Sequence, residues 1–169
     1  MNIKYIISEM KRNQEVFKTL LENLSEEVYK WKQAPDKWCL LEIICHLYDE
    51  EQKDFKTRLK HILENKEGRP SPISSDEWAK NGNYMGQNYF EMIEKFLNER
   101  DESINWLCSL KNPEWENYYI HPEYGQMTGK MFLANWLAHD YLHIRQIIKL
   151  KYDYLSNTTG DDLKYAGGW

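Results

Sequence analysis

Apolar residues recur along the chain at intervals of three and four, the period of helices that bury one face. Ile3, Ile6, Ile7, Met10, Phe17, Leu20, Leu21 and Leu24 carry this spacing over residues 2–24, and Asn2 is placed to cap the start. Ser25 begins a new turn, and "APDK" at 34–37 breaks the chain. A second stripe, Leu40, Ile43, Ile44, Leu47, Tyr48, Phe55, Leu59 and Ile62, predicts a helix over 39–65. Cys39 stands there in place of a Ser or Thr cap, with Glu42 as its capping-box partner. Gly68, Pro70 and Pro72 end that helix. Tyr89, Ile93, Phe96, Ile104 and Leu107 mark a third helix over 84–110, and Thr128 can cap a fourth that runs to 151.

The connections are less regular. Residues 66–82 read as a loop with one turn around "SSDEWAK". Residues 111–127 lack periodicity but hold four aromatics, and a loop of that length is more often functional than idle. Four amphipathic helices with almost no strand signal predict an all-α fold, a four-helix bundle with long connecting loops. Residues 1–169 form one domain, with crossover connections as compatible as a simple up-down arrangement.

Composition narrows the function. Lys plus Arg number 22 against 27 Asp plus Glu, a net charge of -5, and no basic cluster offers a face for nucleic acid. Three cysteines, Cys39, Cys45 and Cys108, have neither disulfide-scaffold nor zinc-ribbon spacing and read as free thiols in a reducing compartment. No apolar run suits a signal peptide or membrane span, so the expectation is a cytoplasmic protein with neither membrane nor nucleic-acid partners. Long apolar faces and seven Trp suggest a homodimer.

The candidate chemistry lies in "WLAHDYLHIRQII", residues 136–148. At 100° per residue, Phe132, Trp136, His139, His143 and Ile147 fall within about 80° of one another, so both histidines sit in the apolar stripe. Imidazoles in a dry core need partners for both nitrogens, and a shared metal would accept a lone pair from each neutral ring. An HxxxH pair also arises by chance, and this one lacks the Glu of a zincin motif. A catalytic zinc site normally takes three protein ligands, and His46, His61 and His121 are the remaining histidines. His46 lies on the flank of its helix's apolar face, one turn from Glu50. His61 suits a helix C-terminal charge, and His121 precedes Pro122 in the irregular stretch. Glu50 could orient His46, bind a metal or stay solvated; Asp140 could accept an N–H from a ligand histidine or pair with another helix. Glu51 and Arg58 read as structural charges with partners on other helices, with substrate-anion binding by Arg58 as the sharper alternative.

"KWCLLEIICHLYDEE" followed by "LANWLAHDYLHIRQI" resembles the DinB-like (YfiT-like) superfamily over essentially the whole chain, including a "YAGGW" ending. The family pattern is Trp-Ser at the start of the second helix, a His seven residues later and an HxxxH on the fourth; here these are Trp38, Cys39, His46, His139 and His143. The Cys at 39 departs from the pattern at the cap rather than the site. The resemblance implies a four-helix bundle holding a divalent metal, commonly zinc or nickel, with His46 as the third ligand. The family includes thiol-dependent transferases and isomerases, proteins assigned as hydrolases, and many members without known activity. The expectation is therefore a metal-binding protein, a transferase with a thiol co-substrate or a hydrolase acting on a small molecule through an open three-histidine site. The alternative is a non-catalytic metal- or ligand-binding module, which a fourth ligand such as Glu50 or His121 would favour. A pocket roofed by residues 111–127 is expected over the site.

Overall fold

The computed structural model describes residues 2–64, 70 and 75–168. Helix α1 spans Ile3–Leu21, and the Asn2 side chain accepts the Tyr5 N–H at 3.1 Å, so the expected cap forms. A short α2 (Glu26–Lys30) follows Ser25. Helix α3 (Leu40–Asp49) starts after Cys39, whose backbone N–H donates to the Glu42 carboxylate at 2.9 Å. It runs into a π-helical segment, Glu50–Phe55, and on into α4 (Lys56–Leu63), so one long helix occupies 40–63. Gly68 and Pro72, expected to end it, lie outside the described residues, as do 66–69 and 71–74 of the expected loop. Beyond them come α5 (Ser75–Asn81), a 3-10 turn (Tyr84–Gly86) and α6 (Tyr89–Ser109).

Strands β1 (Tyr118–His121) and β2 (Gly125–Thr128) form an antiparallel hairpin within the stretch expected to be irregular. Helix α7 (Gly129–Thr159) opens at Thr128, whose hydroxyl accepts the Met131 N–H at 3.3 Å. It continues past the expected end near 151, until Gly160 takes a left-handed φ of 70° and returns its N–H to the Ser156 carbonyl. A glycine tolerates that conformation without a Cβ clash. A last 3-10 turn covers Leu163–Ala166, and Trp169 of the "YAGGW" ending lies outside the described residues.

The four long helices close into a ring. Helix α1 packs on α6 and α7, and the 40–63 helix also packs on α6 and α7. The first two long helices are therefore diagonal rather than adjacent, and the chain crosses the bundle between them.

Two apolar clusters fill the interior. One gathers Phe17, Leu21, Leu40, Ile44, Phe96 and Leu150; the other gathers Met10, Phe55, Leu59, Leu107, Phe132 and Trp136. Between them along every helix lies a buried polar layer of Asn13, Glu51, Arg100 and Asp140. The Arg100 guanidinium donates to Glu51 through Nε and Nη2 (2.9 and 2.8 Å), and to Asp140 through Nη1 and Nη2 (both 2.7 Å). The Trp136 indole donates to Glu51 at 2.9 Å, and Asn13 to Asp140 at 3.3 Å. Burial works against the Arg100 charge, yet Asp140 and Glu51 hold its pKa above the ordinary value. Each of the three guanidinium nitrogens meets a carboxylate, as a buried charge requires.

Candidate metal centre

Three histidines meet at the level of this polar layer. His46 comes from the last turn of α3, and His139 and His143 from successive turns of α7. One ring nitrogen from each lies within 4.8 Å of the other two. The rings are 4.3 Å apart between His139 and His143, 4.9 Å between His46 and His143, and 5.5 Å between His46 and His139. Phe55 packs on His139 at 5.0 Å and Trp38 on His46 at 4.9 Å.

The protonation pattern follows from this packing. Burial, reinforced by the neighbouring rings, lowers His46 to about 3 and His139 to about 2. His143 is also lowered by burial, with Gln146 and Asp140 acting in the opposite sense. All three rings are neutral at pH 7, the form that ligates metals. The His143 Nδ1 lies 2.8 Å from the Gln146 side-chain oxygen, which only accepts, so Nδ1 carries the hydrogen. That leaves the His143 Nε2 lone pair facing the His139 Nε2 at 3.0 Å.

Glu50 stands beside the cluster. Its Oε1 is 3.7 Å from the His46 Nδ1, which is buried and without a hydrogen-bond partner. Burial and the adjacent Asp54 raise the Glu50 carboxyl to about 8. Asp54 pairs with Arg58 at 2.7 Å, and Arg58 reaches the Tyr119 hydroxyl on β1 at 3.4 Å. Arg58 therefore finds a carboxylate on its own helix, and Glu51 pairs across to α6 as expected. The π-helical turn accounts for the run of acids: its wider winding brings Glu50, Glu51 and Asp54 all inside.

Other expectations need correction. Of the two roles open to Asp140, pairing with other helices is the one its hydrogen bonds show, to Arg100 and Asn13, and its charge acts on His143. His121 caps the hairpin turn, its Nδ1 accepting from the Glu123 and Tyr124 N–H groups at 3.1 Å, and is not part of the three-histidine group. Residues 111–127 do not simply roof the cluster: the hairpin docks Tyr119 and Met127 into the apolar core beside Phe132. The cavity that reaches the cluster's neighbours Trp38 and Gln146 is lined instead by residues 33–38 and 145–153. Cys45, next to His46 in sequence, faces the Tyr84 carbonyl, and burial pushes its thiol up to about 12. Arg100, Asn13 and Gln146 were not anticipated.

The sequence pattern of the DinB superfamily matches residues 9–147. The chain belongs to the DinB superfamily. The uncharacterized protein YuaE of Bacillus subtilis is 22% identical over 145 residues, 78% of this chain and 88% of that one. YfiT of Bacillus subtilis, described as "a probable metal-dependent hydrolase with an unusual four-helix bundle topology", superposes with a TM-score of 0.77 at 16% identity. The match covers 95% of this chain and 89% of YfiT, so this DinB-superfamily protein shares the YfiT fold. No helix among its described residues is long and apolar enough to cross a membrane.

The donor set suits a divalent ion. Nitrogens sharing a tetrahedral zinc at about 2.0–2.1 Å stand roughly 3.3 Å apart. The His139–His143 separation of 3.0 Å is already close to that. The unpartnered His46 Nδ1 has Glu50 in position to take its N–H after a small side-chain rotation, the arrangement usual around ligand histidines.

Glu50 gives this site a pH signature in chelator-treated protein. A carboxyl raised from 4.5 to about 8 keeps its proton in the fold while the unfolded chain releases it. Its contribution is fully present below pH 4.5 and is lost as pH rises to 8. Glu50→Gln is therefore expected to be more stable than wild type at pH 8, by on the order of 2 kcal/mol after discounting for solvent screening. The gap should close by pH 4.5. Urea titrations across this range check it, and a gap independent of pH would contradict the assignment.

Proposed function

We propose that His46, His139 and His143 hold one divalent metal ion, zinc or nickel in the first instance, and that the protein is a metal-dependent hydrolase or thiol-using transferase acting on a small molecule. The observation that carries this reading is the convergence of three neutral imidazoles from two helices on one point, His46 buried and His139 and His143 partly buried. The family membership and the printed description of YfiT support it. An ion held by three protein ligands keeps an open position and supplies Lewis acidity to a substrate or nucleophile.

The chain's own residues supply the rest. Phe55 and Trp38 shield two of the rings from water. Gln146 fixes the His143 tautomer through Nδ1, so that Nε2 presents its lone pair. Glu50, with a pKa of about 8, can hold or give up a proton at Oε1 near neutral pH, as a general acid–base group must. Asp54, Arg58 and Tyr119 hold that carboxyl's surroundings in place.

Access to the ion decides between catalysis and sequestration. Protein reconstituted with cobalt(II) should change its visible spectrum on addition of imidazole or a small thiol, because an exchangeable position remains. A spectrum unmoved by either ligand would sink the enzyme reading and leave a sequestered metal.

A further inference from the structure

A cavity of about 390 Å³ opens between the segment leading into α3 and the outer turns of α7, lined by two residues that pack on the histidine cluster rather than by the histidines themselves. That size suits a small-molecule ligand. Two of its walls touch the cluster directly. Trp38 lies 4.9 Å from the His46 ring, and Gln146 is bonded to His143. The remaining charged lining is Lys37, Arg145, Lys149 and Asp153, three cations against one carboxylate. The chain as a whole carries -5, so this wall reverses the average sign of the molecule.

The three cations differ in what already holds them. Lys149 pairs with Asp153 one turn on, and Lys37 sits 3.3 Å from the exposed Asp36. Arg145 makes no ion pair among the described residues. A guanidinium fork is the group best matched to the paired oxygens of a carboxylate or phosphate. The Trp38 indole offers a flat apolar wall beside it.

We propose that the molecule processed at the three-histidine site is a small anion whose carboxylate or phosphate is seated by Arg145, with Lys37 and Lys149 flanking, and whose remainder lies along Trp38 toward the histidines. This rests on the metal-site reading for its chemistry but not for its binding, so the two can fail separately. The cations raise the local concentration of an anion whether or not a metal is present.

The test follows the Trp38 indole N–H by NMR, assigned with Trp38→Phe, in chelator-treated and zinc-loaded protein. The probes are succinate, inorganic phosphate and neutral succinamide. At least one anion should shift the Trp38 signal saturably in both forms, the tighter one telling carboxylate from phosphate. Succinamide should not shift it. Arg145→Gln should weaken the anion by about tenfold or more, as expected for loss of a charge-assisted fork, while Lys4→Gln, in the first turn of α1 and outside the cavity lining, should leave it unchanged. Succinamide acting as well as succinate, or Arg145→Gln binding like wild type, would overturn the proposal. Zinc binding without any anion effect would remove the anion site and leave the metal. Anion binding that depends on Arg145 in protein unable to take up zinc would uphold the anion site and remove the metal.

Discussion

Replacing Arg100 by methionine is expected to lower folding stability by about 3–5 kcal/mol, the usual cost of breaking a buried ion pair from one side. The substitution keeps most of the apolar stem but strands Glu51 and Asp140 facing each other in the core, each fully buried. The loss is a charge penalty rather than a packing defect. The triple variant R100M/E51Q/D140N, which removes the carboxylates as well, should therefore recover much of it. Urea unfolding with unchanged slope checks both results. A loss below about 1 kcal/mol for the single variant would mean that the polar layer is hydrated or adaptable rather than locked.

The second large effect concerns the histidines. Zinc added to chelator-treated protein should raise the melting temperature, since a ligand that binds only the folded state at a thousandfold over its Kd adds about 4 kcal/mol. In a chain of this length that corresponds to a shift on the order of 10 °C. His139→Ala should abolish the shift. His61→Ala should retain it, because His61 sits in the last turn of α4, outside the three-histidine group. Equal shifts in the two variants would contradict the ligand assignment.

Much of the fold is written in the spacing of apolar residues. The stripes of α1, the 40–63 helix, α6 and α7 identify four helices, and Asn2 and Thr128 mark two starts because their side chains do form the caps. The far end of α7 was obscured because no residue of 151–159 is buried and those turns need no apolar stripe; Gly160 was the available signal. The hairpin was hidden because only Tyr119 and Met127 of its central residues are buried, too short an alternation to stand out. The diagonal placement of the first two long helices is a property of packing between helices, which periodicity within one helix does not encode.

The site divides the same way. His139 and His143 share a helix, so a wheel suffices to align them. His46 reaches them from another helix, and on its own wheel it occupied only the flank; the family resemblance, not the spacing, pointed to it. The π-helical segment shifts the hydrogen-bond register without a compositional marker, so the inward turn of Glu50 together with Glu51 was illegible. Arg100 was legible in principle. It continues the series Tyr89, Ile93, Phe96 along the buried side of α6, and a charge at a stripe position announces a buried partner.

The measurement that bears most directly on the central claim is the metal content of protein purified without an affinity tag or chelator. Elemental analysis should find about one divalent ion per chain in the wild type, as for a three-ligand site. His46→Ala and His143→Ala, confirmed as folded by circular dichroism, should carry little of it, and His61→Ala should match wild type. Wild-type protein that stays metal-free even after incubation with zinc and nickel, or His46→Ala and His143→Ala that keep the full wild-type content, would contradict the assignment of these three histidines as a metal centre.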